Sequence, residues 1–183
     1  MLEKMIIDYC APTLAKIKTA NLFNYKYSSR SELETEIADV NEKLNVKGVS
    51  VEVLKITESR ALIYVYRKQM LEADFLQKGV SALLKQCGYT TLHISESLEI
   101  LKMRLMESEC FPHEIGLFLG YPLEDVLGFI KHSGRNYKHC GIWKVYSNEY
   151  EARKLFAKFH KCTEVYSRVF AGGRTITQMT VAA

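Results

Sequence analysis

The chain has 183 residues, 48% of them hydrophobic and 25% charged, with a net charge of +4; this balance excludes the disordered and fibrous classes, and the length suits one domain better than two. The longest uninterrupted apolar run, Ala61 to Tyr66, falls far short of the roughly 20 residues a membrane-spanning helix needs. Glu3, Lys4 and Asp8 interrupt what would be the apolar part of a signal peptide, so a single cytoplasmic domain without a membrane partner is expected. The five cysteines (Cys10, Cys87, Cys110, Cys140, Cys162) contain no C-x-x-C pair, which excludes a disulfide framework or zinc ribbon and reads as reduced thiols.

From the N-terminus, Leu2 to Tyr9 predicts a helical turn or two, and Pro12 opens a helix to about Lys18, placing Cys10 just before a helix start. Asn21 to Tyr27 reads as a short strand. Ser31 and Glu34 form a capping box for a helix with Leu33, Ile37, Val40 and Leu44 on one face. After Gly48 the period drops to two at Val49, Val51 and Val53. A polar turn at Thr57 to Arg60 and the run "ALIYVYR" complete an antiparallel hairpin.

Helical spacing returns from Gln69 to Cys87, with Leu76, Val80, Leu83, Leu84 and Cys87 inward and Gly88 as the stop. A further helix covers about Glu96 to Glu109. Pro112 opens a short helix, Gly120 closes it, and Pro122 opens the next, whose buried face is Val126, Leu127, Phe129 and Ile130; this is an αα-turn. "IWKVY" predicts a strand, Asn148 with Glu151 caps a long helix with Ala152, Leu155, Phe156, Phe159 and Tyr166 inward, and Gly172 and Gly173 end it. "TITQMTV" predicts a final edge strand. The expected class is α+β, a small mainly antiparallel sheet with a largely helical middle containing the αα-turn.

Four chemistries compete for the polar residues. The αα-turn has the packing signature of a helix-turn-helix, but the positions that would meet base edges are Leu123, Glu124 and Asp125. Carboxylates there repel phosphate, so nucleic acid is not an expected partner, and the acidic first turn is explained by the helix dipole. Cys10 at a helix start would have a lowered pKa, making it a nucleophile, with His113 as base and Glu114 orienting the imidazole; the alternative is a buried thiol and a surface histidine. Cys110 and His113 share C-x-x-H spacing, and His139, Cys140, His160 and Cys162 supply further donors, yet no standard metal-ligand pattern is completed.

The fourth feature is basic. Lys131 to Lys161 holds eight Lys or Arg against Glu149 and Glu151. Within it Lys131, Arg135, Lys138, His139 and Lys144 alternate with Tyr137 and Trp143, and Gly134 and Gly141 permit close backbone approach to an anion. The other reading is a solvated basic loop at a helix C-terminus. No phosphate-binding glycine motif specifies a nucleotide, and no cofactor is indicated.

"CAPTLAKIKTANLF", "FPHEIGLFLGYPLEDVLGFI" and "CGIWKVY" together resemble the uncharacterised bacterial family catalogued as domain of unknown function 3793. The resemblance implies a stand-alone cytoplasmic protein of about this size and brings no activity, cofactor or catalytic residue. It directs attention to Cys10, Pro12, Thr13, His113, Glu114, Gly120, Tyr121, Pro122, Trp143 and Lys144, and this chain departs from it at Lys16, where a small residue is expected. The leading expectation is a regulatory domain that holds a small anionic molecule or a protein partner between the αα-turn and the basic aromatic loop, with Tyr121 beside the loop residues. The alternative is a thiol-dependent hydrolase or acyl transferase using Cys10 and His113.

Overall fold

A computed structural model describes residues 1–107 and 111–183; Cys110 and the expected helix end at Glu109 lie outside the described residues. Three strands, β1 (Ala20–Lys26), β2 (Ser50–Ile56) and β3 (Arg60–Tyr66), form an antiparallel sheet in the order β1-β3-β2. The β2–β3 pair is the expected hairpin. β1 adds to its other side in the register Leu22 to Tyr64 and Phe23 to Ile63.

Alternation along β3 sends Ala61, Ile63 and Val65 to one face and Leu62, Tyr64 and Tyr66 to the other, and both faces are covered. Against the first pack α1 (Leu2–Leu14) and α2 (Arg30–Asn45). Against the second pack α3 (Lys68–Phe75), α4 (Val80–Gln86), α5 (Ile94–Glu107) and α6 (Ile115–Phe118). The chain continues through α7 (Leu123–His132), a ribbon of β4 (His139–Cys140) and β5 (Lys144–Val145), the long α8 (Glu149–Ala171) and α9 (Ile176–Met179). Helix α8 packs along α1, and its first half carries a third apolar cluster of Ala152, Phe156 and Phe159 with Trp143 and Val145.

Several local expectations need correction. Leu2–Leu14 is one helix with Pro12 inside its last turn, so Cys10 is mid-helix and not before a helix start. The proline forfeits one backbone bond near the end, and the apolar stripe Leu2, Ile6, Ile7, Cys10 and Leu14, all buried, compensates. The cap of α2 is Ser29, in extended conformation and accepting from the Glu32 amide at 3.2 Å, not Ser31. The helix expected over Gln69 to Cys87 is broken at Gly79, whose φ of 90° is left-handed. Leu76, placed inward by the period, is 79% exposed, while Leu71 and Phe75 are buried. The expected terminal strand is α9, started by a Thr175–Gln178 capping box.

The end of α1 is held by a buried arginine. Arg67, 2% exposed, donates from Nε to the Thr13 carbonyl at 2.6 Å and from Nη2 to the Leu14 and Val181 carbonyls at 2.8 and 2.6 Å. Nη1 reaches the Lys47 carbonyl at 3.3 Å. The guanidinium thus meets the carbonyl end of a helix dipole and joins α1, the α2–β2 connection and the C-terminal segment.

Immediately after α1, Lys16 adopts a φ of 59°, left-handed and exposed. This is the position where the resembled family leads one to expect a small residue. A Cβ there is strained, so Lys16→Gly is expected to raise stability by about 1 kcal/mol in urea unfolding; an unchanged or lower midpoint would remove the strain argument.

Candidate functional site

The αα-turn and the ribbon face one another across a cleft of about 390 Å³. Two glycines permit the turn. A Cβ on Gly116 would lie 2.8 Å from Val126 and 3.2 Å from Tyr121, so α6 and α7 cross this closely only without one. Gly120 has a φ of 71° and sits against Thr19, where a Cβ would approach Oγ1 to 2.6 Å. Pro122 is then the N-cap of α7.

Asp125, in the first turn of α7, fixes the ribbon to the turn. It is 3% exposed. Its Oδ2 accepts from the Trp143 indole at 2.8 Å, and its Oδ1 accepts from the backbone amides of Tyr146 and Ser147, each at 2.8 Å. Three donors satisfy one buried carboxylate, which is the condition for burying it at all. Local sequence predicts only a helix-dipole role for this residue, because its partners lie 18 to 22 positions away.

Trp143, held in this way, stacks on Tyr121 at 4.6 Å and meets Phe156 edge-on at 4.5 Å. The remaining walls are mostly apolar, with Ile115, Val126, Phe129 and Ile142 among them. Polar character comes from His113, whose ring meets Phe129 edge-on at 5.0 Å, from Lys144, and from Asp125, whose carboxylate oxygens are engaged by the three donors named above. Lys144 Nζ donates to the Gly134 carbonyl at 2.7 Å and lies 5.0 Å from the Tyr137 ring and 5.7 Å from that of Phe129. Among the described residues one donor is engaged, and two are left on a half-buried ammonium at the cleft wall. Burial pushes the Tyr121 hydroxyl up to about 12, so it is a neutral donor near neutral pH.

Of the expected ligand residues, Tyr121, Trp143 and Lys144 line the cleft together with His113. Lys131, Arg135 and Lys138 do not; they are exposed, and Lys138 donates to the Ser147 carbonyl at 2.6 Å. His139 tilts against Phe156, and Tyr137 supports Lys144 from outside the lining. Val126 and Phe129, expected on a buried helix face, also line the cleft, as do Phe111 and Ile142, which no sequence pattern singles out.

The expected thiol constellation is not assembled. Cys10 is fully buried in the cluster on the α1 and α2 face, and burial raises its thiol far above the usual range, the opposite of a poised thiolate. Glu114 does not orient His113. It is buried, accepting from Arg104 Nε at 2.5 Å and from the Tyr89 hydroxyl at 3.2 Å. Among the described residues no three His, Cys, Asp or Glu side chains converge as a metal site, and no helix is long and apolar enough to cross a membrane.

No curated protein and no solved structure matches the chain. A family model described as a protein of unknown function (DUF3793) matches residues 6–180, the span that contains the sheet, the αα-turn and the ribbon, and the chain belongs to that family.

Proposed function

We propose that the cleft binds a small organic anion with a flat apolar body, and that the protein is a regulatory ligand-binding domain. The observation that carries this reading is a cleft of about 390 Å³ walled by aromatic and aliphatic side chains with an ammonium at its wall. Ligand sites of a few hundred Å³ follow this composition, apolar surface for affinity and a few polar groups for orientation. In this reading the Trp143–Tyr121 stack and Phe129 receive the apolar body, and Lys144, with His113 also in the lining, receives the anionic group. The free thiols of Cys10, Cys87, Cys140 and Cys162 suit a cytoplasmic setting.

The test uses a built-in reporter, because Trp143 is the chain's single tryptophan. Titration with aromatic carboxylates and with an anilinonaphthalene sulfonate is expected to change its emission. Lys144→Met is expected to weaken binding by about 10- to 100-fold, the worth of a charge-assisted contact of about 1.5–3 kcal/mol. Uncharged analogues of the same shape should bind wild type and variant alike. Unchanged emission at millimolar ligand would sink the reading.

A further inference from the structure

We infer that Lys18 is a covalent attachment site for a short uncharged aldehyde or ketone, held as an imine in the recess between the α1–β1 connection and α8. Lys18 is 6% exposed and borders a recess of about 90 Å³ with Thr19, Gly120, Trp143, Leu155 and Phe159. Its Nζ donates to the Ala20 carbonyl and, at 3.2 Å, to the Leu119 carbonyl, and lies 5.3 Å from the centroid of the Tyr121 ring. A neutral amine has two N–H groups and one lone pair. Two carbonyl acceptors satisfy both N–H groups and leave the lone pair for an electrophile.

The groups facing this amine from neighbouring elements are the Cys10 thiol on α1, the Asp74 carboxylate on α3 and the Tyr121 ring at the αα-turn. Asp74 is engaged elsewhere, accepting from Thr19 Oγ1 at 2.5 Å and from Gln77 Nε2 at 3.0 Å. Among the described residues no carboxylate pairs with Nζ. Burial therefore dominates, with Cys10 and Asp74 opposing it weakly, and lowers the amine to about 7. A desolvated lysine of this kind is the form that attacks carbonyl carbon.

The recess selects the partner. Its walls offer no second cation, so a carboxylate on the carbonyl compound would be buried unpaired. Its volume admits only a few heavy atoms. In the step itself the Nζ lone pair forms a bond to the carbonyl carbon, and the carbonyl electron pair moves to oxygen. A proton passes from nitrogen to that oxygen, and the carbinolamine loses one water to give C=N. The neutral imine then takes one proton from solvent, and the resulting iminium N–H donates to a main-chain carbonyl.

The experiment treats the native protein with propanal and cyanoborohydride, and quantifies each lysine by peptide mass spectrometry as a function of pH. Lys18 is expected to be alkylated about tenfold or more faster than exposed lysines at pH 7, because its neutral fraction is far larger. Its rate should fall as the pH drops below about 7, whereas the surface lysines should continue to gain reactivity through alkaline pH. Leu155→Phe fills the recess without touching the Lys18 hydrogen bonds and should suppress labelling at Lys18 alone. Labelling of Lys18 no faster than the surface, or only after unfolding, overturns the proposal; the wild-type measurement decides this even if the variant fails to fold. Undiminished labelling in a folded Leu155→Phe protein overturns the recess as its site. Neither outcome depends on ligand binding in the larger cleft.

Discussion

Replacing Asp125 by alanine is expected to cost about 3–5 kcal/mol, the largest loss expected among the residues that line the cleft. The indole N–H of Trp143 would lose its acceptor in a buried setting, and the amides of Tyr146 and Ser147 would lose theirs in a partly buried one. For a chain of 183 residues this lowers the melting temperature by about 10 °C. The tryptophan emission should shift at the same time, because Trp143 loses its anchor beside Tyr121 and Phe156. Asp125→Asn is expected to fall between, at about 1–3 kcal/mol, because one amide oxygen can still accept from the two backbone amides while its NH₂ opposes the indole donor. Thermal melting followed by circular dichroism checks the series. An alanine variant melting within about 2 °C of wild type would show that the ribbon is held by its apolar contacts alone.

Arg67→Met is expected to be comparably damaging, at about 3–5 kcal/mol, although it exchanges a buried charge for an apolar side chain of similar length. Such an exchange is often benign when a buried ion pair is replaced as a unit. Here the partners are four main-chain carbonyls, of Thr13, Leu14, Lys47 and Val181, which cannot be removed with the arginine. Methionine leaves them short of donors. Val181 is also tied to α1 through its amide, which donates to the Leu14 carbonyl at 3.0 Å. Hydrogen exchange should therefore quicken first at Val181 and at the end of α1, ahead of the central strand β3. Uniform protection with an unchanged melting temperature would show that the C-terminal segment needs no guanidinium.

Elements whose causes lie within a few residues were legible. The hairpin follows from the period-two pattern on either side of Thr57 to Arg60, and the Asn148 cap of α8 from a donor and acceptor three residues apart. The αα-turn follows from Pro122 and from a glycine at position 120 with the positive φ that the turn demands. The errors lie where distant packing overrode local preference. Pro12 predicts a helix start, yet the stripe from Leu2 to Leu14 carries the helix through it. "TITQMTV" has strand propensity, but no sheet edge is paired with it, and the Thr175–Gln178 box closes a helical turn instead.

The candidate site divides in the same way. Trp143, Tyr121, Lys144 and His113 stood out by residue type, and the family motifs fall on all four; their arrival in one cleft follows from Gly116 allowing α6 and α7 to cross. Cys10 lies mid-helix and not before a helix start, because local spacing does not distinguish the two; of its two readings, the buried thiol is the one its burial fits.

The α+β class, the hairpin, the αα-turn and the membership of the family are legible in the chain alone, because each depends on short-range pattern. Packing between distant segments, in contrast, established that both faces of the sheet are covered and that Asp125 anchors the ribbon. It also decided that Arg67 terminates α1 and that Lys18 is buried beside a recess. The first is set by apolar packing between distant segments, and the other three by the environment of charged side chains. A charge is stable inside a protein only where partners from distant segments meet it, so the chain must fold before its meaning is fixed.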